Sequence, residues 1–284
     1  MFFLIFLFLL NLQKNIILLV GDGFGPEQMK LIEENGYPWV SFDGFSALDT
    51  INPYCGIPDS ASSATAIFSG IFTENGMLGM GINGKKYETL GEIAKKEGFS
   101  VSVITDVEIY DATPAGLYAH TKDRKEYEKI LIFLRKSNFD LFIGDTKGKN
   151  IEKVIKLKKK MDYLNIIKIS LKKIKSLNKP YFILIEFGKI DHFCHKNDLK
   201  KLKKELKNTR KIIDYLIEFS LKEKNTILII TADHETGGFD FETSKFKSKY
   251  HTTQPVFVFS TEPFKEMLIN QPHLHRFILK FINM

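Results

Sequence analysis

Short aliphatic runs recur along the chain, each followed by a longer stretch with helical spacing. Ile16-Ile17-Leu18-Leu19-Val20, Tyr181-Phe182-Ile183-Leu184-Ile185 and Ile227-Leu228-Ile229-Ile230 are apolar at every position rather than every second one. A strand apolar on both faces is buried on both faces, as in a parallel sheet covered by helices. The pattern predicts strands over 15–20, 100–105, 139–143, 181–186, 226–231 and 255–259. Apolar positions three and four apart predict helices over 26–35, 60–69, 89–97, 124–136, 196–222 and 273–282. This alternation predicts an α/β three-layer sandwich with a mostly parallel central sheet. The chain has 284 residues, enough for a substantial core, and shows no internal repeat or Pro- or Ser-rich linker. Residues 13–284 therefore read as a single domain preceded by an apolar segment, 1–12.

Polar chemistry gathers just after the predicted strands, where open α/β sheets bind ligands. Gly21-Asp22-Gly23 follows the first run, and Glu186, Asp191 and His195 follow the run ending at Ile185. Asp233-His234-Glu235 follows the strand at 226–231, and His251 lies in Tyr250-His251-Thr252-Thr253. An Asp after a strand is often only a turn former. Here acids and imidazoles recur at three strand ends, and Asp191 and His195 are spaced so that a helix puts them on one face. Carboxylate and imidazole are good Zn²⁺ ligands. Two ions can activate an attacking oxygen and stabilise a leaving one. The ten-residue stretch Ile57-Pro58-Asp59-Ser60-Ala61-Ser62-Ser63-Ala64-Thr65-Ala66 puts Ser60 at the start of a small-residue helix. Backbone N–H groups and the helix dipole favour negative charge there. An ordinary capped helix has the same signature. Serine needs a base or a metal to act as a nucleophile at neutral pH.

These stretches resemble the alkaline phosphatases. The resemblance is carried by Val20 through Gly25, Asp59 through Ala66, Asp111-Ala112-Thr113-Pro114-Ala115 with Arg124, Glu186 through His195, Thr231 through Glu235, and His251-Thr252, in the family's order. It implies an alkaline phosphatase-like fold and hydrolysis of small-molecule phosphate monoesters. It also implies that Ser60 becomes phosphoserine, that Asp191, His195 and His251 hold one Zn²⁺, and that Asp22, Asp233 and His234 hold a second. Asp22, Thr113 and Glu186 are implied as the Mg²⁺ site, and Arg124 as the grip on the substrate phosphate. Asp111 and His192 occupy positions that tune the third metal site and the phosphate surroundings, which leaves Mg²⁺ or a third Zn²⁺ there. Read without the family, Thr113 is an N-cap before Pro114 and Arg124 a solvated helix charge.

Two departures matter. The stretches from Arg124 to Glu186 and from His234 to His251 are short, with no room for a crown region. Assembly is therefore left open between monomer and homodimer, with the apolar run around Phe277–Ile282 as core or as an alternative face. Sulfatases use a Cys-x-Pro-x-Arg frame that Cys55-Gly56-Ile57-Pro58 misses. A superfamily phosphodiesterase and a non-catalytic phosphate-binding homologue remain the alternatives.

The net charge is +7, with lysines clustered at 147–175 and 196–211. A basic face suits nucleic acid, but no stacking aromatics are interleaved, so these read as solvated faces without specific nucleic-acid binding. The segment 147–179 reads as a Lys-rich surface insertion. Met1 to Leu10 is almost wholly Phe, Leu and Ile, too short to span a bilayer and similar to a signal-peptide core. The expectation is a signal peptide or membrane anchor and an extracytoplasmic location. Two cysteines placed as Cys55 and Cys194 are do not decide a disulfide, and Cys194 is expected to pack.

Overall fold

The computed structural model describes residues 13–33, 36, 38–157 and 162–283. The expected signal or anchor segment 1–12 lies outside the described residues. In chain order the elements are β1 (Asn15–Gly21), α1 (Pro26–Glu33), a 3₁₀ turn (Pro38–Ser41), β2 (Gly44–Leu48), α2 (Ser60–Ser69), α3 (Leu90–Lys96), β3 (Ser100–Glu108), α4 (Ala112–Ala115), α5 (Tyr127–Lys136), β4 (Leu141–Asp145) and β5 (Val154–Lys156). They continue with α6 (Tyr163–Lys175), β6 (Tyr181–Phe187), α7 (Lys189–His195), α8 (Leu199–Lys222), β7 (Thr226–Ala232), β8 (Glu235–Thr236), β9 (Phe239–Asp240), β10 (Lys245–Phe246), β11 (His251–Thr252), β12 (Val256–Ser260) and α9 (Gln271–Ile282).

Eight strands form one sheet in the order β2-β12-β7-β1-β6-β3-β4-β5. Every pairing from β7 to β5 is parallel, and β12 runs antiparallel to both β7 and β2. The central register sets Val20 of β1 beside Glu186 of β6 and Thr231 of β7. The three strands therefore end together. Their apolar runs are fully buried from Ile16 to Val20, Phe182 to Ile185 and Ile227 to Ile230, as the unbroken hydrophobicity demands. One helical group, α2, α3, α4 and α9, packs on itself, and a second group is α1, α6, α7 and α8. Both flank the sheet, which gives the predicted mostly parallel sandwich.

Several boundaries differ from the sequence reading for identifiable reasons. The helix read over 196–222 begins at Leu199. Asn197 takes a left-handed φ of 52°, and Asp198 caps the new helix by accepting from Lys201 N at 3.0 Å. The Lys-rich 147–179 stretch is not merely a surface insertion among its described residues. It contributes the edge strand β5 and the helix α6, which buries Ile166, Ile167, Leu171 and Ile174. Thr113 is not an N-cap: Asp111 caps α4, accepting from Ala112 N at 2.8 Å. Arg124 precedes α5 rather than riding on it. In α9, Phe277, Ile278 and Ile282 are buried in the core, so that run is core rather than an interface. Cys194 is buried and both cysteines are free. No described helix is long and apolar enough to cross a membrane.

Candidate active site

The ends of β1, β6 and β7 carry the site. Asp22 lies one residue past β1, Glu186 is the last residue but one of β6, and Asp233 and His234 follow β7 directly. The turn after β1 requires glycine. Gly23 has φ +69°, and a Cβ there would lie 2.9 Å from Asp191 Oδ1 and 2.8 Å from Thr236 Oγ1. Helix α7 then brings up Asp191, His192 and His195 within two turns, and β11 supplies His251 from the far side.

The first expected trio converges. His195 Nε2 is 3.2 Å from Asp191 Oδ2 and 3.2 Å from His251 Nε2, and His251 Nε2 is 3.8 Å from Asp191 Oδ1. The other ring nitrogens are anchored: His195 Nδ1 to Lys249 O at 2.5 Å and His251 Nδ1 to Pro58 O at 2.9 Å. With Nδ1 of each ring bonded to a carbonyl, Nε2 is the nitrogen that faces the cluster and that a metal ion would meet once deprotonated. Thr236 Oγ1 donates to Asp191 Oδ1 at 2.6 Å and fixes the carboxylate.

The second trio converges on His234. Its Nε2 lies 3.2 Å from Asp233 Oδ2 and 3.6 Å from Asp22 Oδ1. Ligand atoms of Asp22, Asp233 and His234 all fall within 4.8 Å of one another, and so do those of Asp191, His234 and His251. The His234 ring stacks on His251 with centroids 3.6 Å apart, which joins the two groups. Of the third trio, Glu186 is buried close enough to Asp22 to repel its charge, and Thr113 is buried on α4.

Ser60 is the first residue of α2 and is buried, with Oγ 3.3 Å from His234 Nε2. Asp59, in extended conformation, caps the helix by accepting from Ser62 N at 2.9 Å. The small residues of α2 serve close packing, since a Cβ on Gly116 would lie 2.6 Å from Ala64 Cβ. Arg124 reaches back to this helix. Its Nη1 donates to Asp59 Oδ2 at 3.3 Å and its Nη2 to Asp111 Oδ1 at 2.8 Å. Those carboxylates hold the guanidinium firmly charged despite its burial. His192 is half-buried on α7, and among the described residues no hydrogen bond joins it to the rest of the site.

The electrostatics show what the cluster lacks. Burial, then repulsion from Asp233, Asp191 and Glu186, pushes the Asp22 carboxyl well above its usual range. Burial pushes Asp233 up to about 7, and burial likewise raises Glu186. Burial also disfavours ionised Asp191, but the hydrogen bonds with His195 and Thr236 outweigh it and hold that carboxyl low. Burial and the neighbouring His251 keep His234 neutral, the form in which imidazole binds metal. Asp22 Oδ1, Asp233 Oδ2 and Thr113 Oγ1 are buried with no hydrogen-bond partner among the described residues. Unpaired buried carboxylate oxygens cost several kcal/mol each unless a cation meets them. The oxygen and imidazole donors fit Zn²⁺ and Mg²⁺.

The supports of these ligands were not found in the sequence. Thr105 Oγ1 donates to Glu186 Oε2, and Tyr163 Oη donates to Glu186 O at 2.8 Å. Gln28 Nε2 donates to Glu235 Oε1 at 2.7 Å, and Thr252 Oγ1 donates to Glu235 Oε2 at 2.5 Å, which ties β11 to the loop after β7. Only Glu235 had a local signal, as the third member of Asp233-His234-Glu235.

Comparison with known proteins follows the same geometry. A family model described as alkaline phosphatase matches residues 13–138 and 131–272. Alkaline phosphatase 4 of Bacillus subtilis (strain 168) is 28% identical over 286 residues, covering 80% of this chain and 62% of the relative. The alkaline phosphatase of Escherichia coli (strain K12) is 38% identical over 131 residues, covering 40% of this chain and 27% of the relative. The chain thus spans about 62% of the length of the first Bacillus relative. Among solved structures, the alkaline phosphatase from the Antarctic bacterium TAB5 superposes with a TM-score of 0.84 at 24% identity, covering 96% of this chain and 99% of that one. A TAB5 variant with Mg bound in the M3 site superposes with a TM-score of 0.85 at 25% identity, over 96% and 99% of the two chains.

Proposed function

Because the chain belongs to the alkaline phosphatase family, we propose that it is a phosphate monoester hydrolase working through a phosphoserine on Ser60, with two Zn²⁺ and one Mg²⁺. The carrying observation is the buried group of Asp22, Asp233 and His234 beside Ser60, where Asp22 Oδ1 and Asp233 Oδ2 have no hydrogen-bond partner among the described residues. Asp191, His195 and His251 hold one zinc, and Asp22, Asp233 and His234 the other. Asp22, Thr113 and Glu186 hold magnesium. When bound, these ions supply charge to stabilise the attacking and leaving oxygens.

The chain's own groups do the rest. Asp59 orients the first turn of α2, so the Ser60 hydroxyl is presented where helix N–H groups favour an anion. Ser60 Oγ attacks phosphorus and the alcohol departs with the ester oxygen. Water then attacks the phosphoserine, releasing inorganic phosphate and restoring the hydroxyl. Arg124, oriented by Asp59 and Asp111, binds the non-reacting phosphate oxygens with its planar fork. The substrates are small phosphate monoesters, and the location is extracytoplasmic, with residues 1–12 as signal or anchor.

The test is an aryl-phosphate assay with metal analysis on wild type and Ser60→Ala. Turnover should fall at least about 100-fold in the variant while zinc content holds. Full activity in Ser60→Ala, or hydrolysis by metal-stripped protein at the loaded rate, refutes the reading. Faster turnover of a diester than of its monoester would instead favour a superfamily phosphodiesterase.

A further inference from the structure

One buried carboxylate near the site has no part in the mechanism above. Asp106 lies near the end of β3, 6% exposed, and is neither a ligand in any of the three trios nor in contact with Ser60 or Arg124. Its Oδ1 accepts from Gly188 N at 2.8 Å and Lys189 N at 3.3 Å, the amides of the cap residue and of the first residue of α7. Helix α7 needs that acceptor. Its own cap residue is Gly188, which has no side chain to offer. A larger residue cannot stand there, because a Cβ on Gly188 would lie 2.5 Å from Val107 Cγ2. An aspartate on β3 therefore supplies, at the start of α7, a side-chain acceptor that Gly188 cannot, taking the amides of the cap and of the first helical residue.

We infer that Asp106 is a positioning residue for the metal ligands of α7, capping that helix from β3 and so fixing where Asp191 and His195 stand. The inference rests on the proposed metal reading. The preceding residue supports it from a second side. Thr105 Oγ1 donates to Glu186 Oε2, so the dipeptide Thr105-Asp106 ties β3 to both the carboxylate before Gly188 and the helix after it. Lys189 adds a looser clasp, its Nζ 3.8 Å from Asp106 Oδ2. α7 is only seven residues long, so an uncapped first turn leaves little helix to hold Asp191, which is its third residue. Outer partners of metal ligands characteristically change metal affinity about 10–100-fold when removed.

The experiment compares wild type, Asp106→Ala, Asp106→Leu and Asp106→Asn. Asparagine keeps an oxygen acceptor where Oδ1 stands and puts its amide where Oδ2 has no hydrogen-bond partner among the described residues, giving up only the loose Lys189 pairing. Leucine fills the volume and accepts nothing, which provides a second truncation if alanine fails to fold. Amide hydrogen exchange is read on metal-free protein, and Zn²⁺ affinity by competition with a chromophoric chelator. In Asp106→Ala or Asp106→Leu, exchange of the Gly188–His192 amides should accelerate at least about 10-fold while β1 and β7 stay protected. The weaker-binding Zn²⁺ should loosen about 10–100-fold. Asp106→Asn should stay within about 3-fold of wild type in both. Unchanged α7 exchange, or unchanged zinc affinity in both truncations, overturns the inference, as does an Asp106→Asn variant as impaired as alanine. Wild type that binds no zinc sinks the metal reading and the inference together, and that control alone identifies this case.

Discussion

Asp233→Asn should have opposite effects on the metal-free and metal-loaded protein. The metal-free structure buries Asp233 completely, and burial lifts its carboxyl from the ordinary 3.8 to about 7. The folded state therefore binds an extra proton between those values. The stability this group contributes is full below pH 3.8 and is lost as pH rises through about 7. At pH 8 the ionised carboxylate costs the fold at most about 4 kcal/mol relative to the unfolded chain. At pH 5 the same relation gives about 2 kcal/mol. Asparagine removes that cost but weakens the bonds that Oδ1 accepts from Gly23 N at 3.1 Å and His234 N at 2.8 Å. It also leaves a buried amide poorly satisfied, for a loss of roughly 2 kcal/mol. Chelated Asp233→Asn should thus be about 2 kcal/mol more stable than chelated wild type at pH 8 and close to it at pH 5.

For a chain of this size that gain is a rise of roughly 4 °C in melting temperature at pH 8. Added zinc should reverse the ranking. Wild type gains about 3 kcal/mol at a free zinc concentration a hundredfold above its Kd, and the variant, short of one ligand, gains little. Thermal unfolding by circular dichroism at both pH values, with chelator and with buffered zinc, reads all four states. A variant less stable than wild type in chelator at pH 8, or one that keeps the full zinc-dependent rise, refutes the reasoning.

Two further outcomes follow from the geometry. Arg124→Ala should raise KM for aryl phosphates and weaken inhibition by inorganic phosphate about 10-fold or more, with zinc content unchanged because Arg124 contacts Asp59 and Asp111 rather than the histidines; loss of zinc in that variant would show a structural role instead. Gly23→Ala should destabilise the fold by about 1–3 kcal/mol and reduce zinc content, since φ is +69° and the new Cβ would lie 2.9 Å from Asp191 Oδ1; denaturant melts with metal analysis check both, and a variant with wild-type stability and zinc would refute the strain.

The sheet was legible because its central strands are buried on both faces, so burial wrote unbroken aliphatic runs into β1, β6 and β7. Helix α2 was read from Ser60 to Ser69, the bounds it has, because its start carries Asp59 as cap and its end carries Gly70 at φ 71°. β2 went unread: it is an edge strand with alternating exposure, only five residues long, and its apolar content does not rise above its surroundings. α6 was hidden by its lysines. Lys172, Lys173 and Lys175 fill the last turn, where cations suit the helix dipole, and their number masks the buried spacing of Ile167, Leu171 and Ile174.

The ligands and their supports were legible to different degrees for a reason of distance. Asp22, Asp233 and His234 sit within two residues of strand ends, so local pattern reports them. Thr105 reaches Glu186 across 81 residues of sequence, and His251 reaches the Pro58 carbonyl across 193. Such pairs become neighbours only through the β3–β6 register and the return of β11, and nothing local encodes them. Arg124 is the clearest case. Alone it reads as a solvated charge, and its role becomes physical only where α2 delivers Asp59 and α4 delivers Asp111 on either side of it. Two carboxylates fix the plane of a guanidinium that one would leave free to rotate. The remaining donors then have a set direction, which is what the proposed grip of Arg124 on a substrate phosphate requires.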